Sequence, residues 1–218
     1  MEAILIPVKG GESAKLRLAE GLDPAGRRRL RLAMLADVLR ATDGWALRLL
    51  ATSDPDAEEV GRHCGCLLVP DPGAGLNAAI AAATARAVGY GVTDLLVLAS
   101  DVPLVSSADP LAIFCTEADV VVALSDDGGT TALLRRPPAA IPPCFGPGSA
   151  EAHVAAARRA GLAVECLRLD SLALDVDDLA DLVRLAGHPQ ARESVRVARE
   201  LVGGALNRAW GAPGRALP

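Results

Sequence analysis

Two acidic groups and one run of cations are the residues of this chain best placed to do chemistry. Asp101 follows the apolar run Leu95-Leu96-Val97-Leu98-Ala99, and Asp175 and Asp177 stand just past Leu172-Ala173-Leu174. A carboxylate at the carboxyl end of a buried strand faces a crevice rather than the core. If the two groups converge, they suit Mg²⁺, a hard ion held by one or two carboxylates with water and phosphate oxygens. Each also has a plainer reading: Asp101 as a loop or helix cap, and Asp177 or Asp178 as the cap of a helix over 179–185.

The cations Lys9, Lys15 and Arg17, with Gly10 and Gly11, follow an apolar strand that ends Pro7-Val8. Backbone N–H groups and charged heads in such a loop surround an anion, so it is suited to phosphates. In Asp71-Pro72-Gly73-Ala74-Gly75-Leu76-Asn77 the glycines admit close backbone approach to a ligand. Asn77 offers a donor and an acceptor, or simply starts a helix. Phe145-Gly146-Pro147-Gly148-Ser149 places N–H groups and a hydroxyl at a helix start, a second anion site; Gly128-Gly129-Thr130-Thr131 completes the set.

The elements that must position these residues alternate. Apolar runs at 3–8, 46–51, 67–69, 94–99 and 120–124 are separated by helical patterns at 24–41, 55–63, 76–88 and 108–116. That rhythm predicts an α/β sandwich with a mostly parallel sheet, and strands apolar at every position predict helices on both faces. Asp23-Pro24 opens the first helix, and Leu30, Met34 and Val38 form its core stripe. After Leu124, Asp126-Asp127-Gly128-Gly129 reads as the turn of a β-hairpin inserted in the sheet. Ser149 caps a helix to Ala160, 162–168 and 172–175 are short strands, and 179–185 and 192–206 are helices. One domain over 1–210 is expected, with 211–218 a disordered tail.

Composition narrows the partners. The chain has 218 residues, of which 51% are hydrophobic, enough for a sizeable core, but only 2% are aromatic. A net charge of -5 and few stacking side chains argue against nucleic acid. Arg27, Arg28, Arg29 and Arg31 read as a solvated face with no role. Cys64, Cys66, Cys115, Cys144 and Cys166 lack a zinc spacing and read as free, mostly buried thiols; His63, His153 and His188 are equally scattered. With no signal peptide and no run of about 18 apolar residues, a cytoplasmic protein away from membranes is expected.

Taken together, these segments resemble the guanylyltransferases of coenzyme F-420 biosynthesis, which join GMP to 2-phospho-L-lactate, phosphoenolpyruvate or 3-phospho-D-glycerate. The resemblance runs from Ala3 to about Leu185. It rests on Pro7-Val8-Lys9, Ala14-Lys15-Leu16-Arg17-Leu18, Ala33-Met34-Leu35, Asp37-Val38-Leu39, Ala51-Thr52-Ser53-Asp54-Pro55 and Gly75-Leu76-Asn77-Ala78-Ala79-Ile80. Further along it includes Asp101-Val102-Pro103-Leu104, Gly128-Gly129-Thr130-Thr131-Ala132-Leu133-Leu134 and Phe145-Gly146-x-Gly148-Ser149 with His153.

The resemblance implies a three-layer nucleotide-diphospho-sugar transferase fold, glycosyltransferase-A-like and Rossmann-like, with a mixed, mostly parallel sheet. It implies GTP as co-substrate and Mg²⁺ as cofactor. Lys9, Lys15 and Asp101 would act in catalysis, and Pro7, Val8, Lys9, Lys15, Arg17, Gly75 and Asn77 would bind the nucleotide. Asp101, Asp175 and Asp177 would hold the metal; Thr130, Thr131, Gly146 and Ser149 would hold the phosphorylated three-carbon acid. A downstream transferase would receive the product, and a homodimer through 192–206 is left open.

Two departures stand out. The family's Asp-x-Asp-Thr-Pro-Glu-Asp-Leu becomes Asp175-Val176-Asp177-Asp178-Leu179-Ala180-Asp181-Leu182, so Asp178 takes over as cap, and Ser100 replaces an alanine before Asp101. Rivals are a molybdopterin guanylyl- or cytidylyltransferase, a sugar-phosphate enzyme of the same fold, or a non-catalytic nucleotide-binding protein. Pro7-Val8-Lys9 stands where the first two would carry Leu-Ala-Gly.

Overall fold

A computed structural model describes residues 1–10 and 16–210. Its elements run β1 (Glu2–Pro7), a 3-10 turn (Leu16–Glu20), α1 (Pro24–Ala41), β2 (Arg48–Thr52), α2 (Pro55–His63), β3 (Leu67–Pro70), α3 (Leu76–Gly89), β4 (Asp94–Leu98) and α4 (Ala108–Phe114). They continue with β5 (Val120–Leu124), β6 (Thr130–Arg135), α5 (Ser149–Arg159), β7 (Val164–Leu167), α6 (Asp170–Ala173), α7 (Leu179–Gly187) and α8 (Glu193–Trp210). The seven strands make one sheet in the order β3-β2-β1-β4-β6-β5-β7. All pairs are parallel except those of β6, which lies antiparallel between β4 and β5 as the returning arm of the expected hairpin. The chain winds from β1 outward to β3 and then returns to the other side of β1, so the strand order reverses between β1 and β4, where such sheets leave a crevice.

Burial follows the apolar runs. Ile4, Ile6, Leu96 and Leu98 face α1 and α2, whereas Ala3, Leu5, Leu95 and Val97 face α3 and α5, giving three layers. A third cluster joins Leu30 and Met34 of α1 to Leu182 and Leu185 of α7 and Val195 and Ala198 of α8. Asp23, expected at the opening of α1, accepts from the Gly26 amide, and Asp54, not singled out as a cap from the sequence, accepts from the Asp56 and Ala57 amides. Asp178 forms a reciprocal capping box with Asp181.

Four expectations are corrected. Segment 172–175 is not a strand: the one-turn helix α6 buries Leu172 against the sheet, and the chain leaves it extended to bury Leu174 in the third cluster. Ser149 does not cap α5. Gly148, at φ 69°, occupies the cap position, which a side chain would strain to adopt, and Ser149 begins the helix as a buried residue. The cysteines are not mostly buried, since Cys115 and Cys166 are exposed, Cys166 because β7 is an edge strand. The basic cluster is not wholly a solvated face, for Arg31 is almost enclosed against Asp54. The expected tail at 211–218 lies outside the described residues, and no described helix is long and apolar enough to cross a membrane. Helix α8 packs on α1 and α7 of its own chain.

Candidate active site

The loops after β1 and β4 border a crevice of about 230 Å³ lined by Pro7, Lys9, Ser100, Asp101, Phe145 and Asp177, among others. The second acidic group reaches it through the backbone: the Val176 N–H donates to the Asp101 carbonyl at 3.1 Å, which sets Asp175 and Asp177 beside the end of β4. Burial, followed by the charges of Asp101, Asp127 and Asp177, pushes the Asp175 carboxyl up to about 6. Carboxylates brought this close disfavour one another's ionisation. Among the described residues, no set of three His, Cys, Asp or Glu side chains is gathered tightly enough to enclose a metal ion.

Of the cations, Lys9 is exposed at the crevice, and Lys15 lies outside the described residues. Arg17 sits on the acidic segment, with Nη2 2.8 Å from the Asp178 carboxylate and Nη1 3.8 Å from that of Asp177. Pro7 and Val8 are buried, fixing the direction in which the loop leaves the sheet. Gly75, at φ 95°, is the cap of α3, a conformation open to glycine. Asn77 has a partner the sequence did not suggest. Its Nδ2 donates to the Phe145 carbonyl at 3.0 Å, and the Phe145 N–H donates to its Oδ1 at 2.8 Å, so its amide pins the 145–149 loop to the start of α3.

Of the residues expected to hold the acceptor, Thr130 bonds a buried histidine. His153 is fully buried; the Cys144 N–H donates to its Nε2 at 2.9 Å, and its Nδ1 lies 3.0 Å from Thr130 Oγ1. Because Nε2 accepts, the imidazole proton sits on Nδ1 and is donated to Thr130, which directs the threonine's own proton elsewhere. Burial, with a contribution from the Arg135 charge, lowers the His153 pKa to about 4, so the ring is neutral at ordinary pH. Phe145 stands edge-on to the ring, with centroids 4.9 Å apart. A Cβ on Gly129 would lie 3.8 Å from Ser149 Oγ, so the hairpin turn and the head of α5 are neighbours. Thr131 instead donates to the Ala123 carbonyl inside the sheet at 3.3 Å. Gly146, at φ 136°, gives the loop its turn toward α5.

His153 is the residue whose role the sequence did not reveal; its one signal was its place in the motif beginning at Phe145. The buried Arg135 is another. Its guanidinium donates to the Ile141 carbonyl at 3.2 Å and to Thr84 Oγ1 at 2.9 Å, holding the proline-rich approach to this loop against α3.

A mixed sheet of this order, with acidic groups meeting at the β1/β4 switch point, defines the nucleotide-diphospho-sugar transferase fold. A Desulfovibrio desulfuricans G20 protein assigned to those transferases superposes with TM-score 0.74 at 20% identity, covering 96% of this chain and 97% of that one. A nucleotidyl transferase from Methanothermobacter superposes with TM-score 0.63 at 19% identity, covering 92% and 99%. Within that fold, the chain belongs to the guanylyl transferase CofC-like family, which matches residues 2–203. It is 41% identical over 187 residues to a phosphoenolpyruvate guanylyltransferase of Rubrobacter xylanophilus, covering 83% of this chain and 91% of the relative. It is 39% identical over 200 residues to one of Roseiflexus, covering 89% of each.

Proposed function

We propose that this chain transfers GMP from GTP to a phosphorylated three-carbon acid, phosphoenolpyruvate or 2-phospho-L-lactate, with release of pyrophosphate in coenzyme F-420 biosynthesis. The observation that carries the reading is the meeting of Asp101 with Asp175 and Asp177 beside Lys9, in a chain of the guanylyl transferase family. A phosphate oxygen of the acceptor attacks the α-phosphorus, forming a new P–O bond. The bond to the α–β bridging oxygen breaks, and its electron pair leaves with pyrophosphate. The nucleophile is already anionic, so the chain needs no Ser–His or Cys–His pair to activate it. Its task is to bring two polyanions together and orient them.

Lys9, exposed at the crevice, would bind the nucleotide phosphates, and Lys15 would share that role by the family resemblance. Thr130, oriented by His153, and the 146–149 loop receive the acid. Gly75 and the start of α3 border the nucleoside, while Asn77 holds the Phe145 loop against it. Mg²⁺ would be held through one or two carboxylates of the group Asp101, Asp175 and Asp177, hard oxygen donors, with water and phosphate oxygens completing its shell, and would supply charge neutralisation at the α-phosphate. Arg17 is the counterion of the same acidic segment. Incubation with GTP, Mg²⁺ and phosphoenolpyruvate, 2-phospho-L-lactate or 3-phospho-D-glycerate, with pyrophosphate as readout, is expected to give turnover with at least one of these acids. Turnover with none of them, alongside activity with another nucleotide and acceptor, overturns the reading.

A further inference from the structure

The crevice, at about 230 Å³, is too small for a nucleoside triphosphate beside an acceptor, since sites for molecules of that size run from roughly 300 to 1,000 Å³. A larger cavity, of about 590 Å³, shares Arg31 with it and is walled by the start of α1 and the loops that follow β1, β2 and β3. Thr130 begins β6, on the far side of β4 from β1. With the acceptor held there, the nucleoside extends the other way, over β1 and β2. Three strand spacings of about 4.8 Å separate the end of β4 from that of β3. A nucleotide stretched from its α-phosphate at Asp101 therefore carries its base toward the loop after β3.

The carboxylates of this cavity differ in what they have left to accept. Asp54 is buried, with Arg31 2.6 Å away and the Asp56 and Ala57 amides on one oxygen, and Asp56 pairs with Arg28. Asp71, the first residue after β3, makes no ion pair with a described residue, and its Oδ1 accepts from the Gly73 N–H at 2.8 Å. Its backbone is anchored to the end of β2. The Asp71 N–H donates to the Thr52 carbonyl at 3.2 Å, and the Ser53 hydroxyl donates to the Asp71 carbonyl at 3.0 Å. A carboxylate placed so firmly beforehand loses little freedom on binding a ligand. Asn77, the other side chain of this loop able to read a base, has both ends of its amide on Phe145.

The Watson–Crick edge of guanine presents two adjacent donors, N1–H and the N2 amino group. An ionised carboxylate only accepts, at about four lone-pair sites, so the Gly73 bond leaves room for both. Adenine would set its N1 acceptor against that carboxylate. We propose that Asp71 selects the guanine base, accepting from its N1–H and its N2 amino group. This inference rests on the guanylyl-transfer reading and names the residue that reads the base.

Titration calorimetry with GTP, ITP and XTP in the presence of Mg²⁺ measures this selection without turnover. ITP lacks the N2 amino group, and XTP carries a carbonyl in its place. The wild type is expected to bind GTP about tenfold or more tighter than either. Asp71→Asn should lose the preference over ITP and favour XTP over GTP, because its amide donates to the xanthine carbonyl; tight XTP binding also shows that the variant is folded. Asp56→Asn should keep the wild-type order. Equal wild-type affinity for the three nucleotides overturns the proposal, as does a preference for GTP that persists in Asp71→Asn or is lost equally in Asp56→Asn. An Asp71-dependent preference for GTP in a chain that releases no pyrophosphate with any of the three acids supports the base reader and counts against guanylyl transfer alone.

Discussion

His153 shows how one buried ring ties two segments together, since the neutral imidazole donates to Thr130 and accepts from the Cys144 N–H. Its pKa of about 4 lies below the ordinary 6.5. Between those values the unfolded chain binds a proton that the folded chain refuses, so stability is full above about pH 6.5 and falls as pH drops toward 4. The shift corresponds to about 3 kcal/mol. Denaturant midpoints at pH 7, 5.5 and 4.5 should therefore decline more steeply for the wild type than for His153→Gln; equal slopes would remove His153 from this role. Asp101→Asn is expected to slow pyrophosphate release by about 100-fold or more at saturating Mg²⁺ with little change in melting temperature, and a near-wild-type rate would discharge Asp101 from catalysis. Asp101 was legible in sequence because a carboxylate directly after an apolar strand has few places to point. The hydrogen bonds of His153 were not, because Thr130 and Cys144 meet it only through folding.

At the scale of elements, the alternation of strands and helices and the caps Asp23 and Asp178 were legible, because Asp before Pro or before a helical pattern offers a carboxylate acceptor to nearby amides, whereas the cap expected of Ser149 fell to Gly148. Segment 172–175 was misread because four residues with leucine at alternate positions fit either period, and only packing decides between them. Asn77 belongs to this scale too, since it joins α3 to the Phe145 loop. Asn77→Ala should raise the KM for the acceptor acid about tenfold while moving the KM for GTP little, in steady-state assays varying each substrate. The reverse pattern would return Asn77 to the nucleoside.

At the scale of the whole molecule, α8 closes the fold over the site's supporting loop. Arg192, just before it, donates to the Pro103 and Val105 carbonyls at 3.0 and 2.7 Å, directly beyond Asp101. Its first turn is bolted to α1, where the buried Asp37 accepts from the Ser194 amide at 2.9 Å and hydroxyl at 2.6 Å. Asp37→Ala orphans these donors and should cost about 3 kcal/mol in chemical denaturation, with loss of helical signal from α8. An unchanged midpoint would mean that the apolar contacts of α8 hold it alone. The sequence by itself determined the α/β alternation, the two-sided core, the capped helices and the family motifs, because periodicity and capping depend on residues within a turn or strand of one another. Only the tertiary structure decided that Asp101 meets Asp175 and Asp177, that Arg17 lies on Asp178 and that His153 bonds Thr130. Those outcomes depend on where distant segments cross, and a side chain's partners and dielectric surroundings are properties of that crossing rather than of its neighbours in the chain.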